Sequence, residues 1–390
     1  MKQLISLCIL LGFTQFLWSQ EDNEWKPYIH LTGYINSVAE FTNAAKYKEA
    51  KSENAIGLSD AGLLMAYKPL EKLEIKTTLV YTHYIVNLQS LIVEANGTYK
   101  FNDYFKVGAG KFLTPLSPVN QYFYAPVNIS GFLPMVVSHH ELLPQSISGL
   151  QVSGEFGNKL TAGYNFTYGS YLTVGHPLTG MLALQGNEDV APYEYAPKIS
   201  GDERPYTYYM GGSARLYAAY DDILRLGLNY FDGARASHPY ALNNTTEKSV
   251  KWLESKKYSV GVDMELKVNN FKINSEYWKG NNKTDDKIMN SNYSSYYAEM
   301  MYDFGKITPF FRYDYIDDLR TAYYFSYPDT KLFDITAKTT SIGGGVAFRP
   351  IYEILIKLDF RRLSFDYGEN LLQVTEKSFN HGMISVVYSF

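Results

Sequence analysis

The chain has 390 residues, with 36 Lys and Arg against 40 Asp and Glu and a formal net charge of -4 at pH 7. Basic residues are spread evenly, which argues against a nucleic-acid surface, and the one cysteine, Cys8, excludes a disulfide framework or a cysteine metal site. Mean hydropathy is -0.23, so bulk composition gives no membrane signal, yet 36 Tyr, 22 Phe and 4 Trp suit a surface with an apolar body and a wet rim.

Met1 to Gln20 reads as a secretory signal peptide, with Lys2 as its positive end, Leu4 to Leu17 as its apolar core and Ser19 near the cleavage point. Cys8 lies inside that core, too early for a lipoprotein site. From Gln20 onward no run of about 18 apolar residues occurs, so no membrane helix is expected. An exported chain without a helical anchor is soluble, lipidated or a barrel.

After Trp25 one rhythm repeats: two alternating segments flank a short turn, and a longer polar stretch follows. Tyr258, Val260, Val262, Met264, Leu266 and Val268 share one face, and Ser259, Gly261, Asp263, Glu265 and Lys267 the other. Asn269-Asn270 makes a tight turn, since Asn tolerates positive φ, and Phe271, Ile273, Ser275 and Tyr277 resume the alternation. The same form recurs around Asp221-Asp222, Gly305-Lys306 and Pro350 to Tyr352. Upstream it turns at Pro69 to Lys72, Asn102 to Tyr104 and Gly157 to Lys159.

Seven short turns join fourteen strands, and Tyr28 to Phe41 and Phe379 to Phe390 raise the count to sixteen. Short turns then lie on one rim and long connections on the other, the periplasmic and extracellular pattern of an outer-membrane barrel. Glu353 to Arg361 shows the two faces: Ile354, Ile356, Leu358 and Phe360 against Glu353, Lys357, Asp359 and Arg361. The final strand carries Gly382, Ile384, Val386, Tyr388 and Phe390 on one face. That ending resembles the carboxyl-terminal signal of outer-membrane barrels, which implies the barrel-assembly machinery and outer-membrane lipid as partners.

The register places long connections at Thr42 to Asn54, Thr82 to Ser90, Leu113 to Gln145, Gly169 to Arg204, Asp232 to Lys256, Lys279 to Asn292, Ile316 to Ala337 and Ser364 to Lys377. Leu113 to Gln145 stands apart by composition. It holds Pro115, Pro118, Pro126, Pro134 and Pro144 with Tyr122, Phe123, Tyr124, Phe132 and Met135, and no Lys or Arg. Such a loop is unsuited to open water and is expected to fold into the barrel mouth, with Tyr122, Phe123, Tyr124, Phe132, His139, His140 and Glu141 at the constriction.

Val107 to Leu116, with its Gly-Lys-Phe-Leu-Thr-Pro run, resembles the strand-to-loop motif of the phosphate-selective porin family (porins O and P and their relatives). Leu143 to Gly154 is similar to that family's return strand. The resemblance implies a sixteen-stranded, homotrimeric outer-membrane pore. The phosphate-specific members place lysines near the constriction and this loop has none, so phosphate selectivity is not expected. By register Arg215, Arg225, Arg312, Arg349 and Arg361 point into the lumen, opposed by carboxylates that include Asp303 and Asp359, and mixed signs favour weak selectivity.

Adjacent His139 and His140 point opposite ways on an extended segment and do not suit a metal site, and no Gly-x-Ser-x-Gly elbow occurs. No cofactor is expected. The sequence thus reads as a signal peptide, Met1 to Gln20, followed over residues 21–390 by an all-β transmembrane antiparallel barrel of about sixteen strands, a passive porin for small polar solutes, anions among them. The alternatives are an outer-membrane barrel enzyme and a hydrophobic-solute channel.

Overall fold

The computed structural model describes residues 25–42, 54–82, 91–138, 143–171, 209–236, 240–244, 247–251, 254–284, 291–325, 330–367 and 378–390. The expected signal peptide lies outside them. The first strands are β1 (Tyr28–Thr42), β2 (Asn54–Leu70), β3 (Leu73–Thr82), β4 (Ile92–Asn102) and β5 (Phe105–Leu113). Helices α1 (Pro118–Gln121) and α2 (Met135–Ser138) follow, each of four residues. Then come β6 (Ser146–Gly157), β7 (Leu160–Tyr171), β8 (Tyr209–Tyr220), β9 (Leu224–Ala236), β10 (Tyr240–Asn244) and β11 (Glu247–Lys251). The chain continues through β12 (Glu254–Val268), β13 (Phe271–Thr284), β14 (Ser291–Tyr302), β15 (Ile307–Phe325), β16 (Thr330–Ile351), β17 (Ile354–Tyr367) and β18 (Ser378–Ser389).

Sixteen of these strands close into one antiparallel barrel, and β10 pairs only with β11. The seven expected short turns all stand on one rim. At two of them non-glycine residues take up positive φ, Asp221 at 51° and Asn269 at 53°, the conformation that short polar side chains tolerate best. The seam joins β1 to β18, where Gly33 and Phe390 exchange backbone hydrogen bonds of 2.9 and 3.0 Å. Closure removes the two open edges that the sixteen-stranded sheet would otherwise present.

Alternation decides which face meets lipid. On β18 Ile384, Val386 and Tyr388 are exposed outward, whereas Met383, Ser385 and Val387 are buried inside the barrel. The outward residues of β9 (Leu226, Leu228, Tyr230) and of β12 (Tyr258, Val260, Val262) are exposed in the same way. An apolar outside around a polar inside is stable only in a bilayer.

Inside, several large rings lie over glycines directly opposite them on the next strand: Tyr34 over Gly62, Tyr217 over Gly163, Trp278 over Gly261 and Tyr293 over Gly280. A Cβ at any of these glycines would enter the ring. The missing side chain therefore lets each ring lie along the wall instead of across the bore.

Two long connections differ from expectation. Pairing of β15 with β16 continues to Phe325 opposite Thr330, where Ile316 to Ala337 was expected to be loop. The Asp232 to Lys256 stretch also contains the β10–β11 hairpin. Both are two-stranded stretches beyond the shared wall's pairing: β14 pairs with β15 only as far as Arg320, β17 with β16 only from Ala337, and β10 with β11 alone.

Candidate functional site

The Leu113 to Gln145 loop leaves β5 and returns through β6. Its neck is closed by Thr114, whose N–H donates to the Gln145 carbonyl at 2.9 Å and whose hydroxyl donates to the Pro144 carbonyl at 2.5 Å. Asn120 Nδ2 donates to the carbonyls of Thr114 and Gln145 at 2.9 and 3.0 Å. Ser117 caps α1, with Pro118 in the first turn, and its hydroxyl donates to Glu276 on β13 at 2.6 Å. Glu276 also accepts from Trp278 Nε1 at 2.8 Å and Tyr297 OH at 3.0 Å, so this buried carboxylate is well supplied with donors.

From there the loop crosses the bore. In the ring order β5-β4-β3-β2-β1-β18-β17-β16-β15, the strand β15 stands eight steps from β5, half of the sixteen. The loop backbone reaches this far wall. Arg349 Nη2 donates to the Pro126 carbonyl at 2.7 Å, and Lys357 Nζ donates to the Ala125 carbonyl at 2.8 Å. Asp359 accepts from Ser130 Oγ and Gly131 N, both at 2.8 Å. Arg312 Nη1 donates to the Phe132 carbonyl at 2.7 Å, and Asp314 accepts from Met135 N at 3.1 Å. Five ionised wall residues thus grip loop atoms, most of them backbone.

Apolar packing supports the same arrangement. Leu116, Met135, Val136 and Leu143 of the loop pack with Tyr171, Phe231, Trp278, Tyr293 and Tyr297 of the wall. Tyr124 and Ala125 pack with Tyr34, Val80, Leu355 and Val387 on the other side. A loop this apolar therefore finds cover inside the barrel, which is the physical reason it leaves open water.

The structure sorts the residues expected at the constriction. Tyr122 is 50% exposed and Phe123 half-buried, while Tyr124 and Phe132 are only 9% and 8% exposed. The last two are buried in contacts with the wall. Tyr124 meets Tyr34 edge-on at 6.5 Å. The Phe132 ring lies 4.6 Å from the His381 ring and 3.8 Å from the Arg361 guanidinium. His139, His140 and Glu141 lie outside the described residues.

All five arginines stand on inward register positions, but not as a free basic strip. Arg215 pairs with Asp263 at 2.7 Å, and Arg225 stands over the Tyr217 ring at 5.4 Å. Arg312 pairs with Asp314 at 3.0 Å and Glu299 at 3.3 Å, while Arg349, Arg361 and Asp359 hold the loop. Asp303, expected among the lumen carboxylates, instead accepts from Gly305 N at 2.6 Å in a short turn. Sequence reading overlooked Ser117 and Ser130 as loop anchors. Ser-Pro at the start of α1 is a capping signature that marks the first; nothing local marks the second.

No protein-family model matches the chain, and no curated protein matches it. Among solved structures it is similar to OmpT, an outer membrane protein of Vibrio cholerae, in its trimer form, at 11% identity over 94% of this chain and 100% of that one, with a TM-score of 0.60. It is similar to an anion-selective porin from Comamonas acidovorans at 13% identity, 94% and 100% coverage and a TM-score of 0.56. It is also similar to the outer membrane channel DcaP of Acinetobacter baumannii at 12% identity, 95% and 99% coverage and a TM-score of 0.53. At such identities the likeness is one of fold, and the fold is that of an outer-membrane β-barrel.

Proposed function

We propose that this barrel is a porin, a passive channel for small polar solutes across the outer membrane, with the Leu113 to Gln145 loop as its size filter. The observation that carries the reading is the loop's course through the bore to the wall opposite its origin. A loop held there by ionised wall groups narrows the passage and leaves the polar remainder of the wall to line it. Two of the similar structures are a porin and a channel, which supports the same reading, and the trimer form of the third supports a homotrimer.

Charge selectivity follows as weak. Arg312, Arg349 and Lys357 turn their charge to loop carbonyls, and Arg215 to Asp263. Anions pass as part of the polar solute class, and the phosphate selectivity of the porin O and P family is not proposed. Export through a signal peptide at Met1 to Gln20 and insertion by the barrel-assembly machinery belong to the same proposal, as does passage without turnover chemistry.

The test is unitary conductance in planar bilayers, comparing the full chain with a deletion inside residues 122–134. The deletion is expected to raise conductance and the solute size limit together. Unchanged values for both would remove the loop as filter. Leakage of apolar solutes with retention of sugars would favour the hydrophobic-solute reading, to which the two apolar clusters inside the barrel lend some support.

A further inference from the structure

Three arginines of the wall lie against the loop, and Arg361 is held differently from the other two. Arg312 is paired with Asp314 and Glu299, and Arg349 donates to two backbone carbonyls. Arg361 stands directly opposite His381 on the β17–β18 ladder, and its Nη2 lies 3.2 Å from His381 Nδ1. A guanidinium only donates, so Nδ1 is the acceptor and carries no proton in this arrangement. The imidazole proton then sits on Nε2, 3.3 Å from Glu40 Oε2 on β1. His381 thus links β17 to β1 across the seam, and it does so only as the neutral ring.

The loop rests on this link. The Phe132 ring lies 3.8 Å from the Arg361 guanidinium and 4.6 Å from the His381 ring. Arg361 Nε is buried without a hydrogen bond among the described residues, so His381 Nδ1 and the Phe132 face hold this side chain. The side chains of His381 and Glu40 are 16% and 39% exposed, which lets protons reach them. Among the described residues the charged groups facing His381 are Glu40 from β1 and Arg361 from β17. Behind Arg361 stand Arg312, Asp314 and Asp359, whose charges act on it. The described part of the loop carries no charged side chain and meets His381 through Phe132.

A proton added at Nδ1 turns this acceptor into a donor aimed at another donor. It also sets two cations at hydrogen-bond distance beside one aromatic ring. The imidazolium keeps Glu40, now as an ion pair, and Arg361 has to swing aside and take its face off Phe132. Neutral His381 therefore goes with a clamped Phe132, and the imidazolium with a released one. We propose that His381 is a proton switch on the loop, acid freeing the loop at Phe132 and widening the bore. The proposal rests on the channel reading for its effect on current.

The test is unitary conductance in planar bilayers with both compartments taken from about pH 7.5 to about pH 5, where imidazoles titrate. In wild type the ratio of the higher conductance level to the lower is expected to rise with acid, by at most about tenfold per pH unit, the slope that one proton permits. His381→Gln, whose amide accepts from Arg361 and donates to Glu40 without titrating, is expected to stay at the lower level throughout. Arg361→Met removes the cation that the proton displaces and is expected to lose the response too. A variant that fails to fold, judged by circular dichroism, leaves the other to decide. A wild type without the response overturns the switch, as does a response equally strong in every folded variant. Hydrogen exchange of the 122–134 peptide, wild type against His381→Gln at equal pH, reads the loop without current. Exchange faster in wild type at pH 5 and equal at pH 7.5 supports the switch, and equal exchange at both overturns it. A barrel that passes no ions at any pH defeats the channel reading and leaves the exchange result to decide the switch.

Discussion

Asp359 on β17 accepts the backbone N–H of Gly131 at 2.8 Å, joining wall to loop across 228 positions of sequence. Its other oxygen takes the Ser130 hydroxyl, so one carboxylate fixes two consecutive loop residues. Asp359→Ala leaves the Gly131 N–H without this partner, at about 1–3 kcal/mol if it stays buried, and leaves the Ser130 hydroxyl only the Phe132 carbonyl, a cost the loop relieves by leaving the wall. Unitary conductance is expected to rise and to fluctuate between levels. A conductance indistinguishable from wild type would show that the loop holds its place without this clamp.

Gly131 tests the same contact from the loop side. A Cβ there would stand 2.6 Å from Met383 Sδ and 3.1 Å from Asp359 Oδ2. Met383 has room to give, since a thioether chain is flexible, so Gly131→Ala is expected to shift conductance little. Gly131→Val, branched at Cβ, has to push the carboxylate away and should reproduce Asp359→Ala in bilayer recordings.

Arg312 is 5% exposed and stands among Asp314, Glu299 and the Phe132 carbonyl. Arg312→Met leaves two carboxylates buried without their cation, a change that costs about 3–5 kcal/mol when a buried pair is broken. The thermal midpoint of the barrel in detergent is expected to fall. Adding Glu299→Gln and Asp314→Asn should recover most of the loss, because the stranded charges go with them. A triple variant no more stable than the single one would place the cost in lost packing.

How far the sequence could be read depended on distance. Strands and turns were legible because their causes are local: the alternation of Tyr258 to Val268 and the positive φ that Asn269 accepts are written within a dozen residues. The loop was legible in part, since five prolines and a run of aromatics without Lys or Arg announced that it avoids water. Its anchors were not. Nothing near Asp359 says that it will meet Ser130, and nothing near Tyr124 says that it will be buried against Tyr34, because both meetings exist only once the barrel has closed. The arginines show the same limit: register placed them inside, but their partners came from other strands and from the loop.

At the loop's neck, Asn120 Nδ2 bridges Thr114 and Gln145 from within the loop. Asn120→Leu removes these bonds and leaves the Gln145 carbonyl to the Thr114 N–H and the Thr114 carbonyl to Gln121 Nε2, a loss of about 0.5–1.5 kcal/mol for each bond against the loop's folded form. Chymotrypsin applied to the intact barrel reports this, since Tyr122, Phe123 and Tyr124 are its preferred kind of residue and come within its reach only when the loop leaves the bore. Faster cleavage than in wild type is expected, with the strands still protected.

Trp278 is fully buried over Gly261, its directly opposite partner on β12, and its Nε1 donates to Glu276 at 2.8 Å. A Cβ at Gly261 would stand 2.5 Å from the indole ring, closer than any ring can yield without turning. Gly261→Ala therefore tips Trp278 off the wall, breaks its bond to Glu276 and disturbs Ser117, which shares that carboxylate. Overpacking of this kind costs about 1–3 kcal/mol, and it acts on the loop as well as on the wall, because α1 rests on Glu276. Two readouts should move together: tryptophan emission shifts as the indole leaves its buried partner, and conductance changes as α1 loosens. A stability loss with conductance unchanged would separate the wall from the loop and show that Glu276 holds α1 without help from Trp278.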